Sequence, residues 1–191
     1  MFNHLFIKAL IDGRIFYPGF FHVHLPRGRT LDFIGLNYYT RSFVHNHGFR
    51  IPGIFGDVCP SGEHPDVTRR NSLGWEIYPQ GLSQLLKDFS KYKLPLMISE
   101  NGICANQDKE RSEFILEHIQ ELAKAMMKGA PVFGYLYWSL LDNFEWADGF
   151  QPRFGLVEVD YQTQERKVRP SALDFGRICE TGLLSESGLE A

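Results

Sequence analysis

The chain has 191 residues, of which 43% are hydrophobic and 14% aromatic, a composition typical of a folded domain with its own core. Its 20 basic and 23 acidic residues give a net charge of -3 without a basic run, which argues against nucleic-acid binding and attraction to a membrane surface. The most apolar stretch, residues 132–141, is shorter than the roughly 20 residues that span a bilayer, so no transmembrane helix is expected.

The first half of the chain contains two predicted helices and two predicted strands. Apolar residues recur at helical spacing over 5–10, and a short apolar and aromatic run over 31–39 predicts a strand buried on both faces. Residues 41–75 are rich in proline and glycine and are predicted to form a long surface loop. A second amphipathic helix over 82–89 precedes a brief apolar strand at 96–98.

The second half repeats the order of helix followed by strand. Helical spacing over 114–126 predicts a third helix capped by Asp108, and the apolar run 132–138 predicts the next strand. A short alternating strand follows at 156–160, and a last helix is expected to begin at Pro170. Apolar strands that alternate with helices favour an α/β fold with a parallel sheet, either a barrel or a doubly wound sheet.

We expect one domain portion over residues 1–180 and a flexible tail over 181–191. The first residues lack the basic segment, apolar core and cleavage site of a secretion signal, which favours a cytoplasmic protein. Three scattered cysteines, Cys59, Cys104 and Cys179, have neither the spacing of a zinc site nor that of a disulfide framework. They are expected to be free thiols, and no metal or other cofactor is predicted.

Polar and aromatic residues follow the predicted strands at the end where active sites of parallel α/β proteins are built. Glu100 ends an apolar strand, where a carboxylate is costly unless it has a function. Trp138 and Trp146 lie near Glu145 in sequence, and flat apolar rings beside carboxylates suit the two faces of a sugar. An aromatic core with solvated acids explains the same pattern equally well.

Three ordered segments resemble glycoside hydrolase family 1: DFIGLNYYT at 32–40, ISENG at 98–102 and YWSLLDNFEW at 137–146. Two shorter ones, WEIYPQGL at 75–82 and RFGLV at 153–157, extend the resemblance over nearly the whole chain. The resemblance implies a partial (β/α)8 TIM barrel that contains only the last three strands and their helices. It also implies a retaining β-glycosidase of the β-glucosidase type, active in carbohydrate metabolism without a cofactor.

The resemblance makes Glu100 the catalytic nucleophile and Tyr39 the residue that orients it. It assigns six further residues to substrate binding: Asn37, Trp75, Trp138, Glu145, Trp146 and Phe154. Among these, Trp138 would stack on the sugar, Glu145 and Trp146 would bind its hydroxyls, and Trp75 would lie on the leaving-group side. The expected ligand is a β-glucoside or β-galactoside.

One part of the family pattern is missing from the sequence. The acid/base glutamate of the family lies in an Asn-Glu-Pro motif, which occurs nowhere in the 191 residues. Retaining hydrolysis uses two carboxylates about 5 to 5.5 Å apart, and Glu145 is not expected to replace the second one. We therefore expect the chain to be inactive alone.

Three hypotheses remain open from the sequence. The first is a fragment of a β-glycosidase, and the second is a non-catalytic sugar-binding module that uses Trp138, Glu145 and Trp146. The third is one half of a split enzyme that docks onto an N-terminal half-barrel or associates with itself, because open sheet edges and apolar helix faces require a cover.

Overall fold

The structure is a computed structural model that describes residues 2–17, 21–24, 26, 28, 30–45, 57–59 and 64–184. The chain divides into two compact units, Met1–Ile34 and Gly35–Ala191. The predicted tail lies mostly outside the described residues, and the boundary at 180 stays a prediction.

The first unit contains a helix and a hairpin. Helix α1 (Phe2–Asp12) is followed by the antiparallel strands β1 (Arg14–Tyr17) and β2 (Phe21–His24). Gly13, between α1 and β1, has a φ of 67°, which glycine adopts without the steric cost of a side chain. The predicted helix is confirmed, and the hairpin is an addition for which no strand was predicted.

Among the described residues from Ile34 onward, ten α-helices and β-strands form. In chain order they are β3 (Ile34–Asn37), β4 (Phe43–His45), β5 (Asp57–Cys59), α2 (Gln80–Ser90), β6 (Leu96–Asn101), α3 (Asp108–Met127), β7 (Val132–Tyr137), β8 (Val157–Val159), β9 (Arg166–Val168) and α4 (Pro170–Thr181). The central sheet has the strand order β3-β6-β7, with β6 and β7 parallel. Two antiparallel hairpins, β4 with β5 and β8 with β9, lie outside it.

Helices α2, α3 and α4 form a layer in which α3 contacts both of the others. Leu82 and Leu86 of α2 are completely buried, as are Leu96 and Ile98 of β6. Burial of such side chains contributes about 1.5–3 kcal/mol each relative to exposure. The helical spacing and the apolar strand therefore mark the core correctly.

Three predictions about local structure are wrong. Strand β3 is not buried on both faces, because burial alternates along it with Gly35 and Asn37 exposed. Asp108 does not cap α3: Gln107 is the cap residue, without a side-chain hydrogen bond, and the Asp108 carboxylate accepts hydrogen bonds from the backbone and hydroxyl of Ser171 in α4. Residues 41–75 are not wholly irregular, because β4 and β5 form within them.

The cysteines are free thiols, as predicted, with Cys59 and Cys104 buried and Cys179 exposed. Over the described residues, no helix has the length and apolar character needed to cross a membrane.

Candidate active site

The carboxyl ends of the three central strands lie side by side. Beyond β3, the backbone N–H of Tyr38 donates to the carbonyl of Glu100 at 2.9 Å. Beyond β7, the N–H of Trp138 donates to the carbonyl of Asn101, also at 2.9 Å. The polar residues that end the strands therefore gather at one edge of the sheet, as the sequence predicts.

Glu100 is held by the neighbouring strand. The Tyr39 hydroxyl donates to Oε2 of Glu100 at 2.7 Å. Burial, together with this hydrogen bond, raises the pKa of Tyr39 well above its ordinary value, so the phenol keeps its proton. Within the described part of the chain, no second group donates a hydrogen bond to this carboxylate, which leaves Oε1 available to a ligand.

An aromatic wall forms beside this pair. The rings of Tyr39, Trp75 and Phe154 approach one another pairwise, with centroids 6.1 to 6.2 Å apart. Phe154 is only 2% exposed, whereas Trp75 and Tyr39 are half-buried. The two pairs that include Tyr39 are edge-on, a geometry that stabilises aromatic pairs beyond their buried area. Trp75, which comes from the segment predicted as a loop, thereby lies next to Tyr39, the residue that donates to Glu100.

Trp138 and Glu145, two of the residues predicted to bind the sugar, contact each other. The indole Nε1–H of Trp138 donates to Oε1 of Glu145 at 3.1 Å, and both side chains are half-buried. Trp146 follows in a short 3-10 turn (Trp146–Asp148) and its side chain is 84% exposed. A shallow cleft of about 450 Å³ is lined by Glu100, Trp138 and neighbouring residues. The cleft joins the carboxylate and the indole that the sequence assigns to one sugar.

Asn37 is exposed and lies across from β6, where its Oδ1 is 2.7 Å from the Ser99 hydroxyl. It therefore neighbours the strand end that carries Glu100. Of the predicted site residues, Tyr39 and Glu100 are joined directly, Trp138 and Glu145 form a pair, and Trp75 and Phe154 complete the wall.

A buried carboxylate supports the segment that carries Glu145. Asp142 accepts hydrogen bonds from the Gly155 N–H at 2.9 Å and from Nη2 of Arg169 at 2.9 Å, and Arg153 Nη1 lies 3.3 Å away. Burial opposes its charge, but the hydrogen bonds from Arg169 and Gly155 outweigh burial and hold its pKa below the usual range. Asp142 therefore has its partners within the protein.

Asn101 is a residue to which the sequence analysis gave no role. Its side chain is fully buried and bonded to both neighbouring strands, to the Tyr38 carbonyl and the Tyr135 hydroxyl, each at 2.7 Å. Its place directly after Glu100 at a strand end is the sequence signal that could have drawn attention to it.

The described residues contain no group of three or more His, Cys, Asp or Glu side chains arranged to hold a metal ion. The chemistry of the site is that of a positioned carboxylate, aromatic rings and hydrogen-bond donors.

A parallel pair of strands, intervening helices and polar strand ends place the second unit in the α/β class. The chain matches the family model of glycosyl hydrolase family 1 over residues 25–182. It is 39% identical over 189 residues to a β-galactosidase of Sulfolobus acidocaldarius, covering 95% of this chain and 38% of that protein. It is 41% identical over 154 residues to a β-glucosidase of an Agrobacterium species, covering 75% of this chain and 33% of that protein.

Solved structures agree. A β-glycosidase from Pyrococcus horikoshii superposes with a TM-score of 0.88 at 41% identity, covering 99% of this chain and 43% of that one. A Thermotoga maritima β-glucosidase in complex with glucoimidazole gives a TM-score of 0.71 at 34% identity, covering 79% and 35%. The chain belongs to glycosyl hydrolase family 1.

The chain spans about two fifths of the length of the Sulfolobus acidocaldarius β-galactosidase. Its fold is accordingly a partial TIM barrel, whose central strands are β3, β6 and β7. The family and the partial barrel implied by the sequence are both confirmed.

Proposed function

We propose that this chain supplies the nucleophile half of a retaining β-glycosidase, with Glu100 as the nucleophile. The hydrogen bond of 2.7 Å from Tyr39 to Oε2 of Glu100 supports this role. It holds the carboxylate in place at a strand end and leaves its second oxygen to attack. The names of the relatives, β-galactosidase and β-glucosidase, favour a β-galactoside or β-glucoside substrate.

In the first step, a Glu100 oxygen forms a bond to the anomeric carbon while the bond from that carbon to the leaving oxygen breaks. The leaving oxygen takes a proton from a general acid. In the second step, water attacks the anomeric carbon, the bond to Glu100 breaks, and the water proton passes to the conjugate base of that acid. Trp138 would stack on the sugar, with Asn37, Glu145 and Trp146 contacting its hydroxyls and Trp75 and Phe154 walling the pocket.

The general acid comes from outside this chain in our proposal. The sequence contains no Asn-Glu-Pro segment, and Glu145 already accepts a hydrogen bond from Trp138, a suitable arrangement for binding hydroxyls. Loss of general acid catalysis typically costs about 10² to 10⁴ in rate. The chain alone should therefore fail on glycosides whose leaving group needs a proton.

The remaining barrel strands are the proposed source of that acid. Phe133 and Leu136 of β7 are 59% and 52% exposed, and apolar side chains on a strand favour coverage by further structure. An N-terminal barrel segment would cover them and bring the acid to the strand ends. Self-association through the same surface is the competing outcome.

The decisive experiment uses an aryl 2-deoxy-2-fluoro-β-glucoside with a dinitrophenolate leaving group. Dinitrophenolate departs without a proton, and the fluorine slows hydrolysis of the glycosyl-enzyme, so the nucleophile retains the sugar. The chain is incubated alone and with the segment of the Sulfolobus relative that it does not match. Intact mass and peptide mapping then locate the sugar.

We expect the sugar on Glu100, with one dinitrophenolate released per labelled chain. Glu100→Gln keeps the size and removes the nucleophile, so this matched control should stay unlabelled. A sugar attached elsewhere, or no label in either arm, would refute the nucleophile role. Label that forms only in the mixture would support a requirement for the rest of the barrel.

A sugar-binding module without catalysis is the second candidate, favoured by the hydrogen bond between Trp138 and Glu145 beside the cleft. Glucose in that cleft would change the indole fluorescence of Trp138. Titration of the wild type and of Glu145→Ala tests this: saturable quenching that the variant loses supports binding, and a flat response in both excludes it.

A further inference from the structure

Asn101 lies where an apolar residue would be expected. Its side chain is 0% exposed, and burial of an amide is unfavourable unless its polar atoms are bonded. Both polar atoms of the Asn101 amide are hydrogen-bonded: Nδ2 donates to the Tyr38 carbonyl and Oδ1 accepts from the Tyr135 hydroxyl, each at 2.7 Å. A carbonyl oxygen can only accept, so the Tyr38 contact fixes which end of the amide is nitrogen.

These bonds join all three central strands. Tyr38 follows β3, Asn101 ends β6, and Tyr135 belongs to β7. The backbone of the same asparagine accepts from the N–H of Trp138 at 2.9 Å. The next residue, Gly102, is packed so closely that a Cβ there would lie 1.8 Å from the Trp138 carbonyl oxygen, which leaves no room for a side chain.

The Tyr38 carbonyl, to which Asn101 donates, is adjacent to Tyr39, the residue that donates to the proposed nucleophile Glu100. The Tyr38 carbonyl belongs to the peptide that leads into Tyr39, whose hydroxyl bonds to Glu100. The Tyr38 N–H also donates to the Glu100 carbonyl. A shift of the Asn101 amide would therefore move Tyr39 relative to Glu100 and lengthen the hydrogen bond between them.

We propose that Asn101 is a positioning residue, which sets the geometry of Tyr39 and Glu100 through its bond to the Tyr38 carbonyl. The assignment rests on the proposed nucleophile role of Glu100 and names a further residue on which that role depends. Asn101 is buried in the sheet and acts on the reaction only through Tyr39 and Glu100.

Asn101→Asp tests the assignment without a change in size. It replaces the donor with an oxygen 2.7 Å from the Tyr38 carbonyl, and in labelling at alkaline pH, where the carboxyl is ionised, two acceptors at that distance repel each other. Tyr135→Phe removes only the donor to Oδ1. Since a misplacement of about 1 Å costs on the order of 10² in rate, we expect Asn101→Asp to slow labelling of Glu100 by about 10- to 100-fold. Tyr135→Phe should act in the same direction by a smaller factor.

The labelling time course separates positioning from loss of folding. A purely structural defect lowers the fraction of chains that can be labelled, whereas a positioning defect lowers the rate constant at saturating label. Leu86→Ala, in the core of α2, is the control, and it should reduce the labelled fraction and leave the rate constant unchanged. Rate constants within twofold of the wild type for Asn101→Asp would overturn the proposal.

A spectroscopic measurement makes the test independent of reactivity. The ¹³C resonance of the Glu100 carboxyl, assigned by comparison with Glu100→Gln, reports the Tyr39 hydrogen bond. Asn101→Asp should move it in the same direction as Tyr39→Phe, and Leu86→Ala should leave it in place. An unlabelled wild type would refute the proposed function alone, whereas a carboxyl resonance unmoved by Asn101→Asp would refute the positioning role.

Discussion

His118 should make the stability of this protein depend on acid pH. It lies in α3, fully buried, with its ring stacked on Phe114 at a centroid distance of 3.7 Å. Its Nδ1 is 2.8 Å from the Phe114 carbonyl, which can only accept, so Nδ1 carries the hydrogen. Its Nε2 is buried without a partner among the described residues, and a proton added there would have no acceptor. Burial accordingly lowers the pKa of His118 from 6.5 to about 4.

The two pKa values of His118, 6.5 and about 4, determine how far and in which direction the free energy of unfolding changes with pH. Because the folded pKa is below the unfolded one, the unfolded chain binds more protons between the two values. Stability is then complete above pH 6.5 and falls as the pH drops toward 4. One pKa unit corresponds to about 1.36 kcal/mol, so the full loss is roughly 3 kcal/mol, with about 2 kcal/mol of it reached by pH 5.

Urea denaturation at a series of pH values from 8 down to 4 measures this loss as the free energy of unfolding. His118→Phe keeps a planar ring in the same space and cannot be protonated, so its stability should fall by about 2 kcal/mol less than that of the wild type between pH 8 and pH 5. If the free energy of unfolding fell by the same amount with pH in both proteins, the assignment of a neutral His118 whose Nε2 lacks an acceptor would be refuted.

Two further outcomes are expected from groups around the site. Tyr39→Phe removes one hydrogen bond to the Glu100 carboxylate, worth about 1.5–3 kcal/mol, and should slow labelling by the fluoroglucoside by about 10- to 150-fold; an unchanged rate would show that the bond does not matter to the reaction. Asp142→Ala leaves Arg169 without its buried partner and should lower the free energy of unfolding in urea by about 3–5 kcal/mol. Asp142→Asn retains acceptor capacity and should cost less; an equal loss for both would point to the charge alone.

Elements with a strong local pattern could be predicted from the sequence. Helices α2 and α3 follow the helical spacing of their apolar residues, α4 begins at Pro170 as expected, and β6 and β7 follow short apolar runs. These signals depend on side-chain burial within single segments. The hairpins of β1 with β2 and β4 with β5 were missed because pairing between two short strands is set by the partner and the turn.

In the candidate site, a carboxylate after an apolar run is unusual and predicts a role for Glu100, and the family resemblance adds Tyr39. The structure joins these two residues by a hydrogen bond, and their catalytic roles stay a prediction. The role of Asn101 could not be predicted, since nothing in its sequence neighbourhood shows that its amide is buried. The partners of Asp142 could not be anticipated because Arg169 lies 27 positions away and meets it only through the fold.

The geometry of the proposed nucleophile depends on short segments that are distant in sequence and adjacent in the sheet. Tyr39 and Glu100 are 61 positions apart, yet they lie near the ends of neighbouring central strands. The backbone hydrogen bond from Tyr38 to Glu100 holds those strand ends together. The general acid that we propose to come from outside this chain must, in contrast, be brought to about 5 to 5.5 Å from Glu100 by docking. Errors in docking should therefore slow proton transfer to the leaving group and leave attack by Glu100 unchanged. Proton transfer and attack can then be measured separately, by comparing a leaving group that needs a proton with one that does not.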